Sequence, residues 1–181
     1  MRRDLATLWG IGLVKFAPGT WASFIALGFA AVILALPYGW ALLALAAGVM
    51  FYLGIGASDM HMRIHNMEHD PSEIVVDELV GQWLTFTTWQ IWMVLLTGIS
   101  NALVVLNEVH ASPLYLALGF VLFRFFDIIK PWPISHADKR VKGGFGVMFD
   151  DLLAGIAAGT ALYVIHLSLP FLTGEMVMES V

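Results

Sequence analysis

Five long apolar runs leave this chain one economical way to fold. They cover about Pro18–Leu36, Trp40–Ala57, Gly81–Leu106, Pro113–Ile129 and Leu152–Leu169, and each approaches the roughly 20 residues a helix needs to cross a bilayer. Hydrocarbon offers no partner to a backbone N–H or C=O, so such segments must satisfy themselves as helices. We read the chain as all-α, an integral membrane helical bundle of about five spans forming a single domain over residues 1–181. Composition agrees: 59% of the residues are hydrophobic, 13% are charged and the mean hydropathy is +0.81, outside the usual range of water-soluble domains. Pro37, Tyr38 and Gly39 supply a short turn between the first two runs.

The cations fall on one side of this pattern. Arg2, Arg3 and Lys15 precede the first run, Arg63 lies between the second and third, Arg124 and Lys130 end the fourth, and Lys139, Arg140 and Lys142 precede the fifth. The positive-inside rule makes that side cytoplasmic, with the N-terminus inside and the C-terminus outside. Arg2 and Arg3 are read as topology determinants, because Asp4 follows them and the first run continues to Leu36, which argues against a signal peptide. Trp9, Trp21, Trp83 and Trp132 fall near run ends, where indole rings anchor at the interface. The chain has no cysteine, which excludes disulfides, cysteine-ligated zinc and a thiol nucleophile. A net charge of −5 gives no reason to expect a nucleic-acid partner.

Three polar segments interrupt the apolar background, all on the cationic side. Charge beside hydrocarbon is costly, so each needs a partner or a purpose. In the first, Asp70, Pro71 and Glu73 predict a helix start with a capping box. Asp77 and Glu78 then lie one to two turns inside that helix. Adjacent helical positions diverge by about 100°, so this pair would hold one cation only with help from a neighbouring helix. A solvated helical extension is the plainer alternative. In the second segment Arg124, Asp127 and Lys130 recur every three residues and share a helical face, and Pro131 and Pro133 end the helix. Arg124 and Asp127 either neutralise each other, or Asp127 binds a metal while Arg124 and Lys130 face phosphate oxygens. In the third, Gly143, Gly144 and Gly146 predict a flexible turn running into Asp150 and Asp151 just before an apolar helix. Glycines admit an anion to the backbone, and two consecutive acids exceed what capping requires.

Weaker signals accompany these. Pro18 and Thr20, with Ser23 one turn on, would place free N–H groups and a hydroxyl at a helix start. Gly155 and Gly159 suit close helix packing. His61, His65 and His69 have a spacing compatible with a transition metal, but Met60, Ile64 and Met67 complete an amphipathic stripe that already explains the pattern.

Four blocks carry a family resemblance: PGTWAS at Pro18–Ser23, DPSEIVVDELVGQW at Asp70–Trp83, FRFFDIIKPWPI at Phe123–Ile134 and GGFGVMFDDLLAG at Gly143–Gly155. In content, order and spacing they resemble the signature blocks of the phosphatidylglycerophosphatase A family. The resemblance implies a magnesium-dependent phosphatase of the bacterial inner membrane, multi-pass, with its site on the cytoplasmic side. Such an enzyme hydrolyses phosphatidylglycerophosphate to phosphatidylglycerol and inorganic phosphate. The family's acids and glycines carry over onto Asp77, Glu78, Asp127, Asp150, Asp151, Gly143 and Gly144, with Pro18, Gly19 and Thr20 in the first block.

Phosphomonoester hydrolysis needs positive charge against the phosphate oxygens and a placed nucleophile. Magnesium favours oxygen ligands, so Asp77, Glu78, Asp127, Asp150 and Asp151 are the expected Mg2+ ligands and source of the base. Thr20, Arg124, Lys130, Lys142, Gly143 and Gly144 are the expected phosphate contacts. Water activated by the metal is the favoured nucleophile, with an aspartyl phosphate as the alternative. The lipid bilayer and the lipid substrate are the expected partners, and the pattern is compatible with a homo-oligomer. A small ion-coupled transporter is the competing reading. It is disfavoured because the charges gather at one membrane edge rather than near the midplane.

Overall fold

Prolines and glycines set where the helices begin. In a computed structural model describing residues 2–66, 72–98 and 112–173, the described residues form seven α-helices and no strand. These are α1 (Arg2–Ala6), α2 (Pro18–Leu34), α3 (Gly39–His65), α4 (Val76–Thr97), α5 (Pro113–Ile129), α6 (Ile134–Arg140) and α7 (Gly143–Thr173), with a 3-10 turn at Ile11–Leu13. Pro18 and Pro113 open α2 and α5, positions where the missing N–H costs nothing and the fixed φ suits a helix. Gly39 starts α3 pressed against the Ile33 carbonyl, where any side chain would collide. That contact gives the sharp reversal between α2 and α3.

The five long helices, α2, α3, α4, α5 and α7, overlap the five apolar runs, and the end of the third run lies outside the described residues. Two of them, Gly39–His65 and the Gly143–Ser168 part of α7, are long and apolar enough to cross a membrane, and α2 is a shorter apolar helix. Helix α4 lies at the centre, packing most extensively on α7 and also on α2, α3 and α5. Trp89, Phe86, Phe123, Leu43, Met93, Met148 and Leu162 are the largest apolar side chains fully enclosed. Gly155 and Gly159 seat α7 against the Gly81 and Thr85 carbonyls of α4, the close packing expected of that pair. The outer faces carry exposed Phe24, Phe29, Val32, Leu45, Val121 and Val164, an apolar surface of the kind that faces lipid or a partner.

Several local expectations are corrected. Helix α4 begins at Val76 rather than near Pro71, because Ile74, Val75 and Val76 are β-branched and the Val75 N–H is already bonded to the Ala6 carbonyl at 2.9 Å. Glu73 therefore sits in a turn before the helix, and Asp70 and Pro71, the other members of the expected capping box, lie outside the described residues. The Gly143–Gly146 stretch is the first turn of α7 rather than a flexible turn. Trp83, expected at an interface, is buried and donates to the Ala26 carbonyl at 2.9 Å. Trp9, Trp21 and Trp132 are exposed.

Candidate active site

The starts of α2, α4 and α7 and the end of α5 meet at one end of the bundle. The late start of α4 puts Asp77 and Glu78 in its first turn, where the helix's free N–H groups and partial positive charge favour carboxylates. Asp77 Oδ1 accepts the Glu78 N–H at 3.1 Å. Two turns into α7, Asp151 is drawn alongside because Gly81 and Gly155 let the two helices nearly touch. One oxygen from each of Asp77, Glu78 and Asp151 lies within 4.8 Å of the others. The neighbouring helix that the adjacent acids required is therefore α7.

Helix α5 adds the fourth acid. Asp127 lies beside Glu78 and within hydrogen-bonding reach of Asp151, and its Oδ2 accepts from Arg124 Nη1 at 2.7 Å. The same Nη1 donates to Ser23 Oγ at 3.2 Å, and Ser23 in turn donates to the Gly19 carbonyl at 2.8 Å. Gly19 itself lies against the Glu78 carboxylate and the Arg124 guanidinium. The PGTWAS block thus reaches the site through Gly19 and Ser23. Thr20, expected as a phosphate contact, is half-buried in the first turn of α2, with its N–H bonded to the Ala17 carbonyl at 3.0 Å.

Arg124 ion-pairs with Asp127, and Glu78 and Asp151 stand close to that acid. Glu78 Oε2 and Asp151 Oδ2 are buried with no hydrogen-bond partner, a costly condition for carboxylate oxygens. An all-oxygen donor set of this kind fits a hard divalent cation such as magnesium. Among the described residues this is the one group of three or more His, Asp or Glu residues so gathered.

The phosphatidylglycerophosphatase A family model matches residues 5–166. The chain belongs to the phosphatidylglycerophosphatase A family. It is 37% identical over 167 residues to Phosphatidylglycerophosphatase A of Escherichia coli K12, covering 89% of this chain and 81% of the relative. It is 31% identical over 172 residues to the protein of the same name from Haemophilus influenzae Rd, covering 90% and 86%. A Bacteroides thetaiotaomicron protein, provisionally named a phosphatidylinositol-3-phosphatase, is 32% identical over 153 residues, covering 84% and 85%. No solved structure matches the chain. Neither the family nor these names support the transporter reading.

In this phosphatidylglycerophosphatase A family member the remaining candidates separate from the acid cluster. Asp150, about 100° round α7 from Asp151, pairs with Lys130 Nζ. Lys130 Nζ also holds Asp138 Oδ1 at 2.6 Å. Lys130 follows the last turn of α5 in a left-handed conformation, φ 44°, so the three-residue spacing from Arg124 and Asp127 does not bring it to their face. Burial pulls its pKa down, but the bonds to Asp138 and Asp150 outweigh that, and it stands well above the ordinary 10.5. Lys142 and Gly143 are exposed. The Gly144 N–H donates to Asp59 Oδ1 at 2.6 Å, which occupies the group expected to receive phosphate.

Asp59 and Asp138 escaped the sequence reading. Asp59 lies two residues past the second apolar run, and an acid in that place was the available signal. His61 is buried with Nε2 3.2 Å from Glu73 Oε2, and His65 is exposed with its ring 4.7 Å from that of His61. His69 lies outside the described residues.

Proposed function

We propose that this chain hydrolyses the phosphomonoester of phosphatidylglycerophosphate, giving phosphatidylglycerol and inorganic phosphate, with Mg2+ as cofactor. The observation that carries the reading is the convergence of Asp77, Glu78 and Asp151 oxygens within 4.8 Å, with Arg124 alongside on Asp127, in a chain of this family. Asp77, Glu78 and Asp151 would hold the ion, with Asp127 next to them. Bound there, magnesium supplies positive charge against the phosphate oxygens.

The chain's own residues do the rest. Arg124, braced by Asp127 and Ser23, directs its guanidinium at the phosphate, a geometry suited to phosphate oxygens. A water oxygen bonds to phosphorus as the bond from phosphorus to the glycerol oxygen breaks. One carboxylate of the cluster takes the water's proton and returns it to the departing glycerol oxygen. Asp150, Lys130 and Asp138 act at a distance, fixing the end of α5 against α7. Lys142, Gly143 and Gly144 have no phosphate role in this scheme.

We place the site at the cytoplasmic face of the bacterial inner membrane, in one multi-pass domain with a cytoplasmic N-terminus. Two helices long and apolar enough to span, a shorter apolar helix, exposed aliphatic side chains on outer faces and the one-sided placement of the cations in the sequence support that placement. The acyl chains would stay among the helices' lipid neighbours while the headgroup meets the acids.

The purified full chain in detergent tests the function. Phosphate release from phosphatidylglycerophosphate that needs magnesium and stops with EDTA is the expected result. No release, or release unaffected by EDTA, would sink the magnesium phosphatase. Faster release from phosphatidylinositol 3-phosphate would move the substrate assignment toward the Bacteroides relative's name.

A further inference from the structure

Gln82 is fully buried, and neither atom of its amide has a hydrogen-bond partner. Leaving a buried amide unbonded costs about 1 to 3 kcal/mol, so such a residue needs a compensating contact. Gln82 follows Glu78 by four residues and so lies on the same face of α4, about 6 Å further along the helix. Its neighbour Gly81 is sealed by the Phe123 ring and the Asp151 carbonyl. Arg124 Nε, Glu78 Oε2 and Asp151 Oδ2 are also buried and unpartnered, so unmet donors and acceptors concentrate around this part of α4. Gln90, buried and unbonded as well, lies two turns further from the acids and lacks those neighbours.

We infer that Gln82 determines specificity by binding the free hydroxyl of the substrate's glycerol headgroup. This rests on the function proposed above. With the terminal phosphate at the acids and the acyl chains in the surrounding lipid, the part of the substrate bonded next to that phosphate is its headgroup glycerol. An amide offers a donor and an acceptor, and a hydroxyl answers both. A phosphodiester oxygen only accepts and would leave Oε1 unmet. A site that hydrogen-bonds a substrate hydroxyl rejects the analogue lacking it, because its own polar groups are then left unpaired.

The test compares phosphatidylglycerophosphate with the analogue whose headgroup is propane-1,3-diol, identical except for the missing central hydroxyl. The full-length wild type should favour the natural lipid by about tenfold or more in kcat/KM. Gln82→Met, similar in shape but without the amide, should lose most of its activity on the natural lipid, retain it on the analogue and so abolish the preference. Equal kcat/KM for both lipids in the wild type would overturn the inference without any variant, leaving the phosphatase function intact. A Gln82→Met enzyme that keeps the preference, or loses activity equally on both lipids, would overturn it too. Wild-type protein releasing phosphate from neither lipid would overturn the function and this inference together.

Discussion

The Glu78 carboxylate packs directly against the Cα of Gly19, with no space between them for a methyl group. This contact joins the start of α2 to the first turn of α4 and fixes one wall of the acid cluster. The atom in the way is the tip of a flexible side chain, so Gly19→Ala should displace Glu78 rather than unfold the bundle. Small misplacements of reacting groups can cost about a hundredfold in rate. We expect kcat to fall on that scale while the thermal midpoint moves little. Wild-type kcat in the alanine variant would show that Glu78 has no part in the reaction.

The two consecutive acids of α7 should behave differently. Asp151→Asn removes a carboxylate from the group of three and should abolish magnesium-dependent phosphate release with the fold retained. Asp150→Asn breaks the pair with Lys130 and should cost stability, on the order of 1 to 3 kcal/mol, while leaving magnesium-dependent turnover in the folded fraction. Thermal unfolding and phosphate release, measured on both variants, separate the two roles. Equal loss of turnover at equal stability would contradict them.

The Lys130 pairing also sets a pH window. Its pKa is raised in the folded chain above the ordinary 10.5, so the stability it contributes is fully present below the unfolded value and is lost only as pH rises through the folded one. The gap in thermal midpoint between wild type and Lys130→Met should therefore be the same at pH 7 and pH 9.5. A gap closing over that interval would mean that the ammonium is not held as described.

Close packing of α4 on α7 predicts a further effect. A methyl group at Gly155 would meet the Gly81 carbonyl at 2.5 Å and Leu84 Cβ at 3.1 Å. Gly155→Ala should destabilise the bundle by about 1 to 3 kcal/mol, the usual cost of overpacking, and should lower activity by moving Asp151 away from Asp77. Calorimetry and phosphate release would record both effects. An unchanged midpoint would mean the helices separate freely.

That the chain is helical was legible in the apolar runs, and Asp77, Glu78 and Asp151 stood out because acids beside apolar sequence have few other reasons to be there. The Arg124–Asp127 pair followed from helical spacing. What the sequence hid was register. Whether Asp150 or Asp151 faces the cluster depends on where α7 begins, and reading Gly143–Gly146 as a turn started that helix too late. Lys130 continues the Arg124 and Asp127 face only in a helix that runs past Ile129, and α5 stops there. The Gly144 N–H looked free because its partner, Asp59, comes from a helix 85 residues earlier. Ser23 was visible, but its bond to Arg124 spans 101 residues and no local pattern announces it.

The Val75 N–H bonded to the Ala6 carbonyl, with Gly12 pressed on the Glu73 carbonyl, moors the entrance of α4 to the amino-terminal dozen residues. Those residues are therefore a foundation rather than an appendage. Shortening them, or crowding them with a fusion partner, would slacken the very turn that presents Asp77 and Glu78.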